Sequence, residues 1–215
     1  MELKQINDDL FNRYPILISC KSSIEEAIQL LVDCFEHKHK LLICGNGGSA
    51  ADSLHIVGEL MKAFNIKRSI SEKLSNEIKK SYPQDADYLI QKLEFALPAI
   101  SLVNEASLIT AFSNDKAPDL IFAQQVLGYG QPGDVLLAIS TSGKSKNVIH
   151  ACQIAKLLDL NTIALTGMGK GCLNNLCDVV IAVPETETYK IQELHLPVYH
   201  AICAAIEYYF SDLSK

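Results

Sequence analysis

Lys40–Phe64, KLLICGNGGSAADSLHIVGELMKAF, constrains this chain more than any other stretch. Leu41–Cys44 is an uninterrupted apolar run, the pattern of a strand buried on both faces. The tight polar loop Gly45-Asn46-Gly47-Gly48-Ser49 follows, and glycine there permits positive φ and close approach of a ligand to the backbone. A helical pattern then begins, with apolar Leu54, Val57, Leu60, Met61 and Phe64. Strand, glycine loop and helix start, in that order, turn unpaired backbone N–H groups and the positive end of a helix dipole toward an anion. His55 and Glu59 stand at i and i+4 on the helix, with Cβ atoms about 6 Å apart on one face. They suit either a solvated surface pair or a site that offers an imidazole and a carboxylate.

The rest of the chain repeats the theme. Pro98–Val103, Asp134–Ile139, Asn161–Thr166 and Asp178–Val183 are further short apolar runs, with helical patterns or turns between them. With Leu41–Cys44 they predict a five-stranded parallel sheet with helices on both faces, a three-layer α/β/α sandwich. Ligands of such sheets bind outside the carboxyl ends of the strands. Ser140-Thr141-Ser142-Gly143-Lys144-Ser145 follows one strand and precedes a helix from Lys146, so four hydroxyls gather at a helix N-terminus. That fits a phosphate cradle or, equally, a serine-rich helix cap. The Gly-Lys-Ser/Thr ending of a P-loop is missing, which disfavours nucleotide hydrolysis. Ser113-Asn114-Asp115 reads as a polar break after a helix ending near Phe112, and the loops 45–49, 113–115 and 140–145 are expected to converge.

Residues 1–215 read as one domain with two additions to the core. Two helices occupy 1–39: one over 2–14, ended by Pro15, and one over Ile24–His37, where Ser23 and Glu26 have capping-box spacing. They can cover the core or build an oligomer interface. Asn65–Glu94 is polar and fits a helical insertion, with short helices near Ser71–Lys80 and Asp85–Glu94. A last helix, Tyr189–Ser211, carries Gln192, His195 and His200, with Pro197 among them. Gln192 and His200 are eight residues apart, about 12 Å along an ideal helix.

A net charge of −6 gives no basic field of the kind nucleic-acid binders use. No run of about 18 apolar residues is present to span a membrane. The start, MELKQINDDLFNRY, is too polar for a secretory signal, so a cytoplasmic protein is expected. Seven cysteines without a Cys-x-x-Cys spacing read as reduced, mostly core thiols.

The motifs CGNGGSAADSLHIVGEL, SND, GDVLLAISTSGKSKNVI, ALTG and KIQELHLPVYH occur in this order. Together they resemble the sugar isomerase (SIS) domain family, and within it the phosphoheptose isomerases, over about residues 20–210 with the Asn65–Glu94 stretch as an interruption. The resemblance implies a flavodoxin-like sheet and a phosphosugar ketose–aldose isomerase acting through an enediol, with sedoheptulose 7-phosphate as substrate. It implies sugar contacts from Asn46, Gly47, Gly48, Glu59, Asn114, Asp115 and Gln192, and a phosphate loop of Ser140, Thr141, Ser142 and Ser145. It implies Glu59 and His200 as the catalytic acid–base pair, and a zinc ion (Zn2+) held by His55, Glu59, Gln192 and His200. It also implies a homotetramer assembled with the N-terminal helices. The shorter family members commonly carry an arginine a turn beyond Glu59, where this chain has Ala63; Lys62, Lys67 or Arg68 could take its place.

Two other readings compete. One is a SIS isomerase of another sugar phosphate, motivated by Ala63 and the insertion. The other is a non-catalytic phosphosugar-binding protein related to the branch that associates with the bacterial replication initiator; retention of His55, Glu59, Gln192 and His200 weighs against it.

Overall fold

The computed structural model describes residues 3–169 and 171–212. The outermost residues of the expected 1–215 domain lie outside that range. The chain opens with α1 (Leu3–Arg13) and α2 (Lys21–Glu36), then enters the sheet with β1 (Leu41–Gly45). It continues through α3 (Gly48–Met61), α4 (Glu72–Ser81), α5 (Ala86–Lys92), β2 (Ala99–Ser101), α6 (Ala106–Asp115) and α7 (Ile121–Tyr129). The second half runs β3 (Val135–Ile139), α8 (Lys146–Leu157), β4 (Asn161–Gly167), α9 (Leu173–Leu176), β5 (Val179–Val183) and α10 (Thr188–Asp212).

The five strands lie in the order β2-β1-β3-β4-β5, with every neighbouring pair parallel. The flavodoxin-like three-layer sandwich expected from the sequence is therefore the observed fold. The order reverses between β1 and β3, and the crevice at their carboxyl ends is where ligands of such sheets bind. Gly45 sits opposite Ile139 in the register, so the loops that begin at Asn46 and Ser140 leave the sheet side by side.

Alternation along the strands divides the core in two. Leu41, Ile43, Leu137 and Ile139 pack with residues of α2, α3 and α10. Leu42, Cys44, Leu136 and Ala138 pack with residues of α7 and α8. Both faces are covered, which is why the strands read as continuous apolar runs. Asp134 ties the opposite end of β1 to β3. Its buried carboxylate accepts from the Lys40 backbone N–H (2.9 Å), the Lys40 ammonium (2.5 Å) and the Gln131 N–H (2.8 Å).

Some local expectations change. Helix α2 starts at Lys21, directly after the 3-10 turn Pro15–Cys20, so Ser23 is inside the helix. Its hydroxyl donates to the Cys20 carbonyl (3.0 Å), and no capping box forms. Asn114 and Asp115 are not a break: α6 continues through them and stops only where Lys116 leaves helical geometry. On α3 the buried stripe is Ser49, Ser53, Ile56 and Leu60, while Leu54 and Met61 are exposed. His195 is fully buried in α10, and burial pushes its imidazole down to about 4.

Arg68, within the polar stretch after α3, is fully buried. It donates to the carbonyls of Leu60 (2.7 Å) and Lys62 (2.6 Å), and its Nε lies 3.8 Å from the Glu207 carboxylate. Glu207 in turn accepts from the backbone N–H groups of Phe64 (2.6 Å), Asn65 (2.6 Å) and Ile66 (3.0 Å). The end of α3 is thereby clamped to α10, and Arg68 is committed to that clamp rather than to the crevice.

Candidate active site

Two loops form the mouth of the site at the β1/β3 switch point. In the first, Gly47 caps α3 with φ 57°, a left-handed conformation that side chains rarely adopt. A Cβ on Gly48 would come within 2.5 Å of the Gln192 side-chain nitrogen, so glycine lets Gln192 lie against this loop. In the second, the hydroxyl of Ser140 donates to that of Ser145 (3.1 Å), and the Gly143 N–H donates to the Ser140 carbonyl (3.0 Å). Ser140 is buried, Thr141 and Ser145 are half-buried and Ser142 is exposed, so the hydroxyls line a shallow cup ahead of α8. The unpaired N–H groups of the first turn of α8 and its dipole favour an anion in that cup.

Helices α3 and α10 both begin at the carboxyl end of the sheet and run side by side. Gln192 meets Gly48 near their starts, and His200 meets His55 two turns further along, with ring centroids 5.0 Å apart and edge to face. His55 Nε2 lies 3.1 Å from a Glu59 carboxylate oxygen. His55 Nδ1 is 2.9 Å from the Tyr199 hydroxyl, which also reaches Asp52 at 3.4 Å. Burial, and then the neighbouring His55, push the His200 imidazole below its ordinary value. Burial raises both the Asp52 carboxyl and the Tyr199 hydroxyl.

The structure thus brings together His55, Glu59 and His200 in one cluster, Gln192 with Gly48, and Ser140 with Ser145. Asn46 pairs with Asn147 at the start of α8. Asn114 and Asp115 are exposed at the end of α6, where the Asn114 amide donates to the Asp115 carboxylate (2.8 Å). Among the described residues no hydrogen bond joins these two to the rest of the site. Sequence reasoning missed Asp52, Tyr199 and Asn147. Asp52 could have been found, because Asp52, His55 and Glu59 at i, i+3 and i+7 share a helix face. Tyr199 reads as one more apolar residue of α10, and nothing in the sequence marks it as the partner of His55.

Two imidazoles and a carboxylate are ordinary zinc donors, and the Gln192 amide oxygen is an uncommon fourth. The buried His200 Nε2 has no hydrogen-bond partner, and the Tyr199 hydroxyl fixes the His55 ring through Nδ1, which leaves Nε2 on the side of Glu59. Among the described residues, however, no three His, Cys, Asp or Glu side chains are grouped closely enough to hold an ion, so holding one takes a side-chain rearrangement.

The family model described as "SIS domain" matches residues 16–87 and 87–167. The phosphoheptose isomerase of Shewanella loihica is 41% identical over 188 residues, which cover 86% of this chain and 82% of that protein. The phosphoheptose isomerase of a Synechocystis species is 39% identical over 185 residues, with the same coverage of 86% and 82%. Among solved structures, a phosphoheptose isomerase from Francisella tularensis matches with a TM-score of 0.74 and 30% identity, covering 96% of this chain and 98% of its own. That of Neisseria gonorrhoeae matches with a TM-score of 0.68 and 32% identity, covering 94% and 98%. The chain belongs to the SIS domain family and, within it, to the phosphoheptose isomerases.

Proposed function

We propose that this chain is a ketose–aldose isomerase that interconverts sedoheptulose 7-phosphate and D-glycero-D-manno-heptose 7-phosphate. The observation that carries this reading is the layout along α3 and α10. The hydroxyl cup lies at the carboxyl end of the sheet, and the Glu59, His55 and His200 cluster stands two to three turns down the helices. From Gly48 to Glu59 is about 16 Å along α3, bridged by an extended seven-carbon chain with its phosphate together with the Glu59 side chain, which leans back toward the helix start. Ser140, Thr141, Ser142 and Ser145 take the phosphate and fix the sugar's position, while Asn46, Gly47, Gly48, Asn114, Asp115 and Gln192 contact its hydroxyls.

The reaction moves a proton from C1 of the ketose to C2. Glu59, as carboxylate, removes the C1 proton to give the enediolate and returns it at C2. His200, which burial biases toward its neutral form, serves the two oxygens. His55 stands between them and orients the Glu59 carboxylate. His55, Glu59, Gln192 and His200 would hold a zinc ion, whose chemistry when bound is to stabilise negative charge on the substrate oxygens.

The proposal includes a homotetramer in the cytoplasm, with the N-terminal helices at the interface. Ile16 and Ile18, 48% and 57% exposed on the turn between α1 and α2, supply apolar surface for it. No helix among the described residues is long and apolar enough to cross a membrane. The test is conversion of sedoheptulose 7-phosphate by the purified protein, with pentose and hexose phosphates alongside. Conversion confined to a pentose or hexose phosphate would overturn the heptose assignment, and failure on the whole panel would overturn the isomerase assignment.

A further inference from the structure

We propose that Asn147 is a positioning residue for this isomerisation, acting through Asn46. The proposal rests on the reading of Asn46 as a sugar contact. The two carboxamides form a reciprocal pair: Asn46 Nδ2 donates to Asn147 Oδ1 (2.9 Å), and Asn147 Nδ2 donates to Asn46 Oδ1 (2.9 Å). Among the described residues this is the only side-chain hydrogen bonding between the glycine loop after β1 and the segment after β3. The strands hold the two loops in register only as far as Gly45 and Ile139. Beyond that point the first loop runs Asn-Gly-Gly, the residues with the most backbone freedom to lose.

The pair has a built-in direction. Asn147 stands on the first turn of α8, and its Oδ1 also accepts the Val148 backbone N–H (3.0 Å). That bond identifies the oxygen end of the Asn147 carboxamide and holds it still. The orientation of Asn46 follows, because its N–H must face Asn147 Oδ1 and its oxygen must face Asn147 Nδ2. Each carboxamide has two donors and two acceptor lone pairs. The pair uses one of each on Asn46, and leaves it one N–H and one lone pair, in a fixed sense, for sugar hydroxyls. Asn147 thus sets both the spacing between the sugar loop and the phosphate cup and the donor–acceptor sense of Asn46.

A double-mutant cycle tests this. Asn46→Ala, Asn147→Ala and the double variant are compared in kcat/KM on sedoheptulose 7-phosphate, in calorimetric affinity for inorganic phosphate, and in Tm. Loss of two hydrogen bonds that act on the substrate through Asn46 predicts a fall of about tenfold in kcat/KM for Asn147→Ala. Phosphate affinity should stay within about twofold and Tm within about 2 °C, which a merely structural role would not allow. In the Asn46→Ala background the second substitution should change nothing. If the two losses multiply, Asn147 acts on its own and the proposal is overturned. An unaffected Asn147→Ala beside an impaired Asn46→Ala also overturns it, while leaving Asn46 as a sugar contact. An unaffected Asn46→Ala removes the sugar contact itself, and the proposal with it.

Discussion

Replacing Glu207 with methionine should destabilise the protein by about 4 kcal/mol. Glu207 is 1% exposed, and its carboxylate satisfies three backbone N–H groups and faces the fully buried Arg68 at 3.8 Å. The Arg68 contact is one of charge rather than a hydrogen bond, and two of its nitrogens, Nε and Nη1, have no hydrogen-bond partner. Removing the carboxylate leaves a buried guanidinium without its principal counter-charge, with the weaker influence of Glu94 remaining, a loss of about 3–5 kcal/mol. The three freed N–H groups belong to a half-buried loop and can partly rehydrate, so they add at the lower end of about 1 kcal/mol or less each. For a chain of this size about 4 kcal/mol corresponds to a fall in Tm of roughly 10 °C. Urea unfolding followed by circular dichroism measures it directly. The Arg68→Met/Glu207→Met double variant should be more stable than Glu207→Met alone, because the unpaired charge goes with its partner. A Glu207→Met protein within about 1 kcal/mol of the parent, or a double variant weaker than the single one, would refute this reasoning.

His195 should give stability a pH dependence. Its folded value, pushed down by burial to about 4 from 6.5, means that the unfolded chain binds the extra proton first. The contribution is complete above pH 6.5 and is lost as the pH falls toward 4. It amounts to about 3 kcal/mol, read as the change between pH 7 and pH 4 in the stability difference from His195→Leu. A difference that stays flat with pH would place that imidazole in a wetter setting. Gly48→Ala should fold normally but displace the Gln192 side chain, whose nitrogen is 2.5 Å from the new Cβ position. Turnover should fall roughly tenfold while Tm moves by less than about 3 °C; unchanged turnover would take Gln192 out of the site. Zinc added to the metal-stripped protein should bind at one ion per chain by calorimetry, and His55→Ala should abolish that binding. Equal binding by the variant would remove His55 from the ligand set.

The sheet was legible because its two covered faces leave five apolar runs that no surface strand would carry. The switch point was legible because the glycine and serine loops are the polar interruptions directly after two such runs. His55, Glu59, Gln192 and His200 came from motifs, and helix spacing alone would not have paired residues on α3 with residues on α10. The failures are local. Ser23 and Glu26 have capping-box spacing, but the preceding 3-10 turn moved the helix start to Lys21 and put Ser23 inside. Asn114 and Asp115 look like a break by composition, yet α6 carries them. Arg68 sits in a stretch that reads as a polar insertion, and its burial depends on a carboxylate 139 residues away in sequence, at Glu207. Asn147 reads as an ordinary early residue of α8 until the reciprocal bond to Asn46 is seen.

The measurement that bears most directly on the central claim is conversion of sedoheptulose 7-phosphate in deuterated water, followed by NMR for the parent and Glu59→Gln side by side. The parent should form the heptose aldose 7-phosphate, with deuterium entering at C2 as the proton held by Glu59 exchanges with solvent before it is returned. Glu59→Gln should turn over about a thousandfold more slowly while its affinity for the phosphosugar stays within a few-fold. Glu59→Gln turning over at the parent's rate would contradict the account, because it would take the C1 proton away from Glu59 and leave Asp52 as the other carboxylate of the cluster.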